Sequence, residues 1–449
     1  MMLETLPIRP FTQPGTCKAH VPGSKSITNR ALLLAALNEG PVTLCGALFS
    51  EDAEVMITAL RALGIETSAD AQNQTVTVQG QGGMIPVATG DIFVGNAGTV
   101  ARFLVAVLAL RWGGSYRLDG TEAMRRRPMR GLLETLESCG CAFAWEAEPY
   151  HFPFKMKTQG LRKGVWEVNA EASSQILSAL LLVASLTDGP VRVQQNGNTV
   201  SKPFITMTKR MIATFRRDGA IPDEAPDGYA FKPVSYRIPN GNYKVEPDAT
   251  AASYFLSLPM VIGSSVEVSG ISPDSLQGDV AYHRILDEIG FLTTFTHNGL
   301  LSEVPAGALS GGIFDFNDIS DTFLTLAALA PLLSEPVTIT GIAHTRKQET
   351  DRVTAMANEL RKLGQGIEEK TDSITINPNR EKLHEIAHQG IEIDTYEDHR
   401  VAMSFGILGC ADLRGNGQPW LTINNPLCCA KTFPGFFDEL ERLRLSSHA

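Results

Sequence analysis

The residues of this chain best equipped for chemistry are two acids set among cations. Asp321 and Glu349 share the second half of the 449-residue chain with Arg352, Arg400 and Lys431, and with the neighbours Asp398 and His399. The first half offers Lys25, Ser26, Arg30, Asn96, Arg102, Arg127, Ser173, Ser174, Gln175, Ser201 and Lys202. Arginine pairs with carboxylate or phosphate through two parallel N–H donors, while serine hydroxyls and backbone N–H groups fill the remaining lone pairs. The inventory therefore suits a small ligand rich in phosphate and carboxylate. Among so many cations the two acids are held ionised, and a carboxylate so placed can move protons. Each also admits a plainer reading, Asp321 as a helix cap and Glu349 as the partner of Arg352.

The elements that must position these groups are helix starts. Val21-Pro22-Gly23-Ser24-Lys25-Ser26-Ile27-Thr28-Asn29-Arg30 runs straight into the apolar segment Ala31 to Leu37. Pro and Gly halt regular structure, a serine can cap the helix, and Lys25 and Arg30 fall in its first turns. Unpaired N–H groups at such an end favour an anion, and each charge-assisted hydrogen bond adds about 1.5 to 3 kcal/mol. Five further polar starts precede apolar runs: Gly95-Asn96-Ala97-Gly98-Thr99, Ala172-Ser173-Ser174-Gln175, Pro247-Asp248-Ala249-Thr250, Asp318-Ile319-Ser320-Asp321 and Tyr396-Glu397-Asp398-His399-Arg400.

Anchored on Ser26, Thr99, Ser174, Thr250, Asp321 and Asp398, the starts follow at intervals of 73, 75, 76, 71 and 77 residues. The last three lie 224, 222 and 224 residues after the first three. So regular a spacing reads as a duplicated three-unit half. A second helix is expected in each unit, over 51–64, 128–140, 202–215, 280–290, 350–364 and 433–443, several of them closing on a glycine. Alternating runs such as Gln74 to Val78 and Ser373 to Ile376 read as strands. The loop-rich passage from Ile221 to Asn242 places a domain boundary near residue 243. The six starts could then face a common cleft between two bodies.

Composition narrows the classes. With 43% hydrophobic and 20% charged residues the chain reads as globular, and its net charge of -10 argues against a general nucleic-acid or membrane-surface binder. The N-terminal Met1-Met2-Leu3-Glu4-Thr5-Leu6-Pro7 lacks a basic region followed by an apolar core, so a cytoplasmic protein is expected. Seven scattered cysteines without paired C-x-x-C spacing read as reduced packing residues, and no structural metal is expected. Gly95 to Thr99 lacks the dinucleotide spacing, and Gly23-Ser24-Lys25-Ser26 lacks the first half of a P-loop, so nucleotide hydrolysis is not inferred. Small residues there let backbone approach a ligand closely, and a side chain at Gly98 would occupy that space.

The ordered blocks from Pro22-Gly23-Ser24-Lys25-Ser26 to Ala430-Lys431-Thr432-Phe433-Pro434 resemble the 5-enolpyruvylshikimate-3-phosphate synthase family. They include Gly95 to Thr99, Arg127-Pro128, Ser173-Ser174-Gln175, Ser201-Lys202-Pro203, Glu349-Thr350-Asp351-Arg352 and Asp398-His399-Arg400. The resemblance implies an α/β fold of two similar domains, each of three βαβαββ units in an inside-out α/β barrel, with the active site in the interdomain cleft. One domain would be 24–243, the other 1–23 plus 244–449. The implied reaction transfers the enolpyruvyl group of phosphoenolpyruvate to the 5-hydroxyl of shikimate 3-phosphate and releases inorganic phosphate. No metal or organic cofactor is implied, nor a nucleic-acid or membrane partner, and the family resemblance suggests a monomer.

By motif match, shikimate 3-phosphate would meet Lys25, Ser26, Arg30, Ser173, Ser174, Gln175, Ser201, Asp321, His344 and Gln348. Phosphoenolpyruvate would meet Lys25, Asn96, Gly98, Arg127, Gln175, Glu349, Arg352, Arg400 and Lys431. Asp321 would deprotonate the attacking hydroxyl, and Glu349 with Lys25 would handle the proton at the enol methylene carbon. The sequence departs from the common pattern at Gln348, where the family often has Lys, at Phe204 for Tyr and at His344 for Asn. Gly98 matches the form sensitive to glyphosate, a phosphoenolpyruvate-site inhibitor. The sister family that acts on UDP-N-acetylglucosamine often carries a loop cysteine, and Gly120 to Pro128 here has none.

Overall fold

The computed structural model describes residues 4–197, 200–307 and 309–446. The reading of the N-terminus rests partly on residues 1–3, which lie outside the described residues. The chain divides into two compact units, Gly23–Glu246 and the discontinuous pair Met1–Pro22 with Pro247–Ala449.

In the unit Gly23–Glu246 the helices come in pairs: α1 (Lys25–Leu37) and α2 (Glu51–Ala62), α3 (Gly98–Leu108) with the single turn α4 (Glu122–Arg125) and α5 (Arg130–Ser138), then α6 (Ser174–Ala184) and α7 (Pro203–Phe215). The other unit carries α8 (Ala249–Ser257), α9 (Pro259–Ile262), α10 (Tyr282–Ile289), α11 (Phe323–Leu329), α12 (Arg352–Lys362), α13 (Arg380–Gln389), α14 (His399–Gly409) and α15 (Phe436–Ser446). The polar starts read from the sequence thus open α1, α3, α6, α8, α11 and α14.

Those six differ from their companions in burial. Every residue of α3, α8, α11 and α14 is buried, as are ten of the eleven in α6. A helix apolar on all sides can only be stable inside a core. In one unit α1 and α6 both pack against α3, and in the other α8, α11 and α14 pack on one another. The companions are amphipathic, as in α5, which buries Leu132, Leu133 and Leu136 and leaves Arg130 exposed.

Strands among the described residues form six sheets; five share one pattern, a parallel pair followed by an antiparallel pair of strands, and the sixth has three strands, one parallel and one antiparallel pairing. Thr89–Phe93 runs parallel to Trp112–Asp119, which pairs antiparallel with Phe154–Gln159, and that with Ala142–Trp145. Gly312–Asp315, Val337–Thr340, Ser373–Asn377 and Gly366–Glu369 repeat this order in the other unit. Alternating burial along Phe154–Gln159 shows one face turned to the helices and the other outward. Helices inside and sheets outside is the inside-out barrel the resemblance implies.

The chain closes each unit with a strand from far away in sequence. Asn242–Lys244 leads the sheet of Glu39–Cys45, while Cys17–Ala19 leads the sheet of Ser265–Ser269. Thr5–Pro7 pairs with Leu421–Asn424 near the other end of the chain. The N-terminal segment therefore belongs with the second three repeats.

Several helix ends differ from the sequence reading. The last helix begins at Phe436, after the turn at Pro434-Gly435, and residues 278–281 form a 3-10 turn before α10. The polar helix α13 has no apolar stripe to reveal it, burying only Leu383 and Ala387.

Candidate active site

In the unit Gly23–Glu246 the starts of α1, α3 and α6 are tied side by side. Ser24 caps α1 by accepting a hydrogen bond from the Ile27 N–H at 3.4 Å. Asn29 Nδ2 donates to Thr99 Oγ1 at 3.3 Å, joining α1 to α3. Arg102 Nη1 donates to Gln175 Oε1 at 2.6 Å, joining α3 to α6, and its Nη2 donates to the Pro128 carbonyl at 2.7 Å. Ser173 caps α6 through the Gln175 N–H at 3.2 Å.

Around these ends stand the cations. Lys25 Nζ lies 3.7 Å from Asp52 Oδ2, and Arg127 Nη1 donates to the Asn96 carbonyl at 3.2 Å. Gly98 opens α3 beneath the two arginines: a Cβ there would lie 2.7 Å from Arg127 Nη2 and 2.8 Å from Arg102 Nη1. Ser201 opens the turn before α7 with a positive φ of 52°, a costly conformation for a residue with a side chain. Lys202 beside it is exposed.

Arg30 is held by side chains of two further helices, α6 and α7. It is buried, donating to Thr208 Oγ1 at 2.8 Å, to the Ser26 carbonyl at 2.9 Å and to Ser178 Oγ at 3.3 Å. The Phe103 and Phe204 rings lie 5.0 and 5.9 Å from its guanidinium carbon. Burial lowers its pKa to about 9, with Tyr243 opposing the shift. Arg30 thus holds the Ser26 turn in place with bonds to the protein.

In the other unit the charged groups form one connected cluster centred on Arg352. Its Nε lies 2.7 Å from Asp398 Oδ2, its Nη1 3.0 Å from Asp321 Oδ1 and its Nη2 2.9 Å from Glu349 Oε2, and it also donates to Gln348 Oε1. Arg400 Nη2 lies 2.6 Å from Asp321 Oδ2, and Lys431 Nζ 3.6 Å from Glu349 Oε1. Helix ends set this geometry: Asp351 caps α12 through the Thr354 N–H, and Asp398 caps α14 through the Arg400 N–H at 2.9 Å. Asp398 is fully buried and serves cap and ion pair together.

The charges dominate proton affinities here. Burial opposes ionisation of Arg352 and Arg400, but the carboxylates around them outweigh it and hold both guanidiniums above their usual range. His344 Nε2 and Ser320 Oγ are 2.8 Å apart. Burial lowers the His344 pKa, against the pull of Asp321. The imidazole is therefore neutral at neutral pH.

Asp321 does not cap α11 but bridges two arginines, and Glu349 bridges Arg352 to Lys431. Both carboxylates thus stand beside groups that bind anions. Of two further acids, Asp248 lies in a helix start read from the sequence, and Asp279 escaped that reading. Asp248 caps α8, accepting from the Thr250 N–H at 2.9 Å and the Ala251 N–H at 3.1 Å. Asp279, in the 3-10 turn Gly278–Ala281, is buried near Asp321 and Arg400. Nothing local in Leu276-Gln277-Gly278-Asp279 distinguishes it from a loop acid.

Comparison with known proteins gives this geometry a family. The chain has the fold of enolpyruvyl transferases: an EPSP synthase structure from Acinetobacter baumannii aligns with a TM-score of 0.77 at 23% identity, covering 98% of both chains. The enolpyruvyl transferase NikO from Streptomyces tendae aligns at 0.73 and 17% identity, covering 98% of this chain and 97% of that one. In sequence, the family model for EPSP synthase (3-phosphoshikimate 1-carboxyvinyltransferase) matches residues 12–440. A 3-phosphoshikimate 1-carboxyvinyltransferase from Opitutus terrae is 46% identical over 451 residues, 99% of each chain. Another from Nostoc punctiforme is 38% identical over 97% of this chain and 98% of that protein. The chain belongs to the EPSP synthase family, a family of transferases.

Proposed function

We propose that the protein transfers the enolpyruvyl group of phosphoenolpyruvate to the 5-hydroxyl of shikimate 3-phosphate, giving 5-enolpyruvylshikimate 3-phosphate and inorganic phosphate on the route to aromatic amino acids. The observation that carries this reading is the bridged cluster Arg400–Asp321–Arg352–Glu349–Lys431, two acids interleaved with three cations. Protonating the methylene carbon of an enol phosphate makes its neighbour cationic, a hydroxyl adds there, and loss of phosphate together with a proton from the new methyl group restores the double bond. Asp321 takes the hydroxyl proton, and Glu349, with Lys25, serves the methylene carbon. Arg352, Arg400, Lys431 and Arg127 hold the carboxylate and phosphate and stabilise the departing anion.

Ser26, Ser173, Ser174, Gln175 and Ser201, with Lys25, His344 and Gln348, bind shikimate 3-phosphate on this reading. Asn96 and Gly98, also with Gln175 and Lys25, line the phosphoenolpyruvate position. Arg30 joins the serines at shikimate 3-phosphate, while its bonds to Ser26 and Thr208 fix the Ser26 turn. We take the domains as 24–243 and 1–23 plus 244–449. No metal or organic cofactor has a role in these steps. We read the protein as a cytoplasmic monomer, consistent with seven free cysteines. No helix among the described residues is long and apolar enough to cross a membrane.

Mass spectrometry after incubation with both substrates tests the reading. One enolpyruvyl addition to shikimate 3-phosphate is expected, undiminished by a chelator. Addition to UDP-N-acetylglucosamine, or none to either acceptor, would overturn it.

A further inference from the structure

Asp279 is a buried acid with no part in the chemistry above. Its residue is 3% exposed, and its Oδ1 has no hydrogen-bond partner among the described residues. The turn that carries it, Gly278–Ala281, packs against the 3-10 turn Asn317–Ile319 just before Asp321, and against α8 and α10. The charged and titratable groups that face it are Asp321, Arg400 from α14, and Asp248 at the cap of α8. Tyr254 of α8 faces the same arginine. Next to Asp279, Gln277 ties this turn to α8, accepting from the Ala249 N–H at 2.9 Å and donating to Asp248 Oδ1 at 3.3 Å.

We propose that Asp279 is a positioning residue for anion binding: neutral, it leaves the charge of Arg400 available to phosphoenolpyruvate, and ionised, it adds a second buried negative charge behind Arg400 and weakens that hold. The inference rests on the functional reading of Arg400 given above. Two buried carboxyls near one guanidinium do not both ionise freely, because each charge raises the proton affinity of the other. Asp321, bridged by Arg352 and Arg400 together, is the better stabilised anion. Asp279 is the one that keeps its proton. Burial first, and then the Asp321 charge, raise its pKa to about 7. Ionisation of Asp279 therefore falls within the working range of pH and acts on substrate affinity, leaving the proton-transfer groups in place.

Two measurements test this. In the intact protein, infrared difference spectra should show a protonated-carboxyl band that is lost as pH rises through about 7. The band should be missing in Asp279→Asn and should titrate at lower pH in Asp321→Asn, where the neighbouring charge is gone. In steady-state assays, the KM for phosphoenolpyruvate should rise at least about fivefold between about pH 6 and 8.5 in the wild type beyond its rise in Asp279→Asn, with kcat changing alike in both. The substrate's own phosphate titration is common to the two proteins and cancels. Parallel KM profiles, or a band unaffected by Asp279→Asn, would overturn the proposal. If Asp279→Asn does not fold, the shift of the band in Asp321→Asn decides. A wild-type protein without transferase activity would sink the functional reading, while the infrared titration would still report on Asp279.

Discussion

Replacing Gly98 with alanine puts a methyl group where two guanidiniums meet. The added Cβ would stand 2.7 Å from Arg127 Nη2 and 2.8 Å from both Arg127 Cζ and Arg102 Nη1. Ordinary carbon contacts begin near about 3.5 Å, so something must retreat by roughly 0.7 to 0.8 Å. Arg102 is pinned by Gln175, Gly98 and two bonds to the Pro128 carbonyl. The nearest atom to the added methyl is at the far end of the Arg127 side chain, and its retreat displaces that guanidinium. If that movement removes one charge-assisted hydrogen bond to phosphoenolpyruvate, the loss is about 1.5 to 3 kcal/mol, or about 10- to 150-fold in affinity. Phosphate release at saturating shikimate 3-phosphate should show this as a raised KM for phosphoenolpyruvate with a smaller change in kcat. Inhibition by glyphosate, expected in the wild type, should weaken in parallel. A Gly98→Ala enzyme within about twofold of wild type in both quantities would refute the close-approach reasoning.

Arg352 is buried among Asp398, Asp321 and Glu349, so Arg352→Gln should cost about 3 to 5 kcal/mol in denaturant unfolding, and a loss below about 1 kcal/mol would contradict the pairing. The His344 pKa lies below its unfolded value, so protonation favours the unfolded chain and this residue's contribution falls as pH drops below about 6.5. Melting curves of His344→Asn should lack that acid-side loss; identical pH slopes for the two proteins would count against it. Asp279 has the opposite sign: with its folded pKa raised to about 7, the wild type binds more protons folded than unfolded, and loses stability as pH climbs from about 4 to that value. Asp279→Asn should gain on the wild type over this range, and a constant difference between them would contradict the buried titration.

The repeat was legible because each unit starts a largely buried helix, which shows in the sequence as a polar start followed by an apolar run. Ser24, Ser173, Asp248 and Asp398 all provide side-chain caps in the structure. The spacing of the six starts, anchored on Ser26, Thr99, Ser174, Thr250, Asp321 and Asp398, therefore reported the architecture before any strand could be placed. What stayed hidden depended on contacts between distant residues. The Arg102–Gln175 bond joins residues 73 apart, and the Arg400–Asp321 pair joins residues 79 apart. Arg30 falls in the first turns of α1, and its bonds to Thr208 of α7 and Ser178 of α6 span 178 and 148 residues. Local sequence cannot distinguish a cation turned to solvent from one turned into a core. Asp279 was invisible for the same reason, since burial beside a second carboxylate is a property of the packed unit.

Phosphate release from phosphoenolpyruvate, with shikimate 3-phosphate or UDP-N-acetylglucosamine as acceptor, bears most directly on the function, run on the wild type, Asp321→Ala and Arg127→Ala. Release should occur only with the shikimate ester, fall by about 10²- to 10⁴-fold in Asp321→Ala, and require much more phosphoenolpyruvate in Arg127→Ala. Release with the sugar nucleotide alone, or wild-type turnover by Asp321→Ala, would contradict the assignment of acceptor or of base.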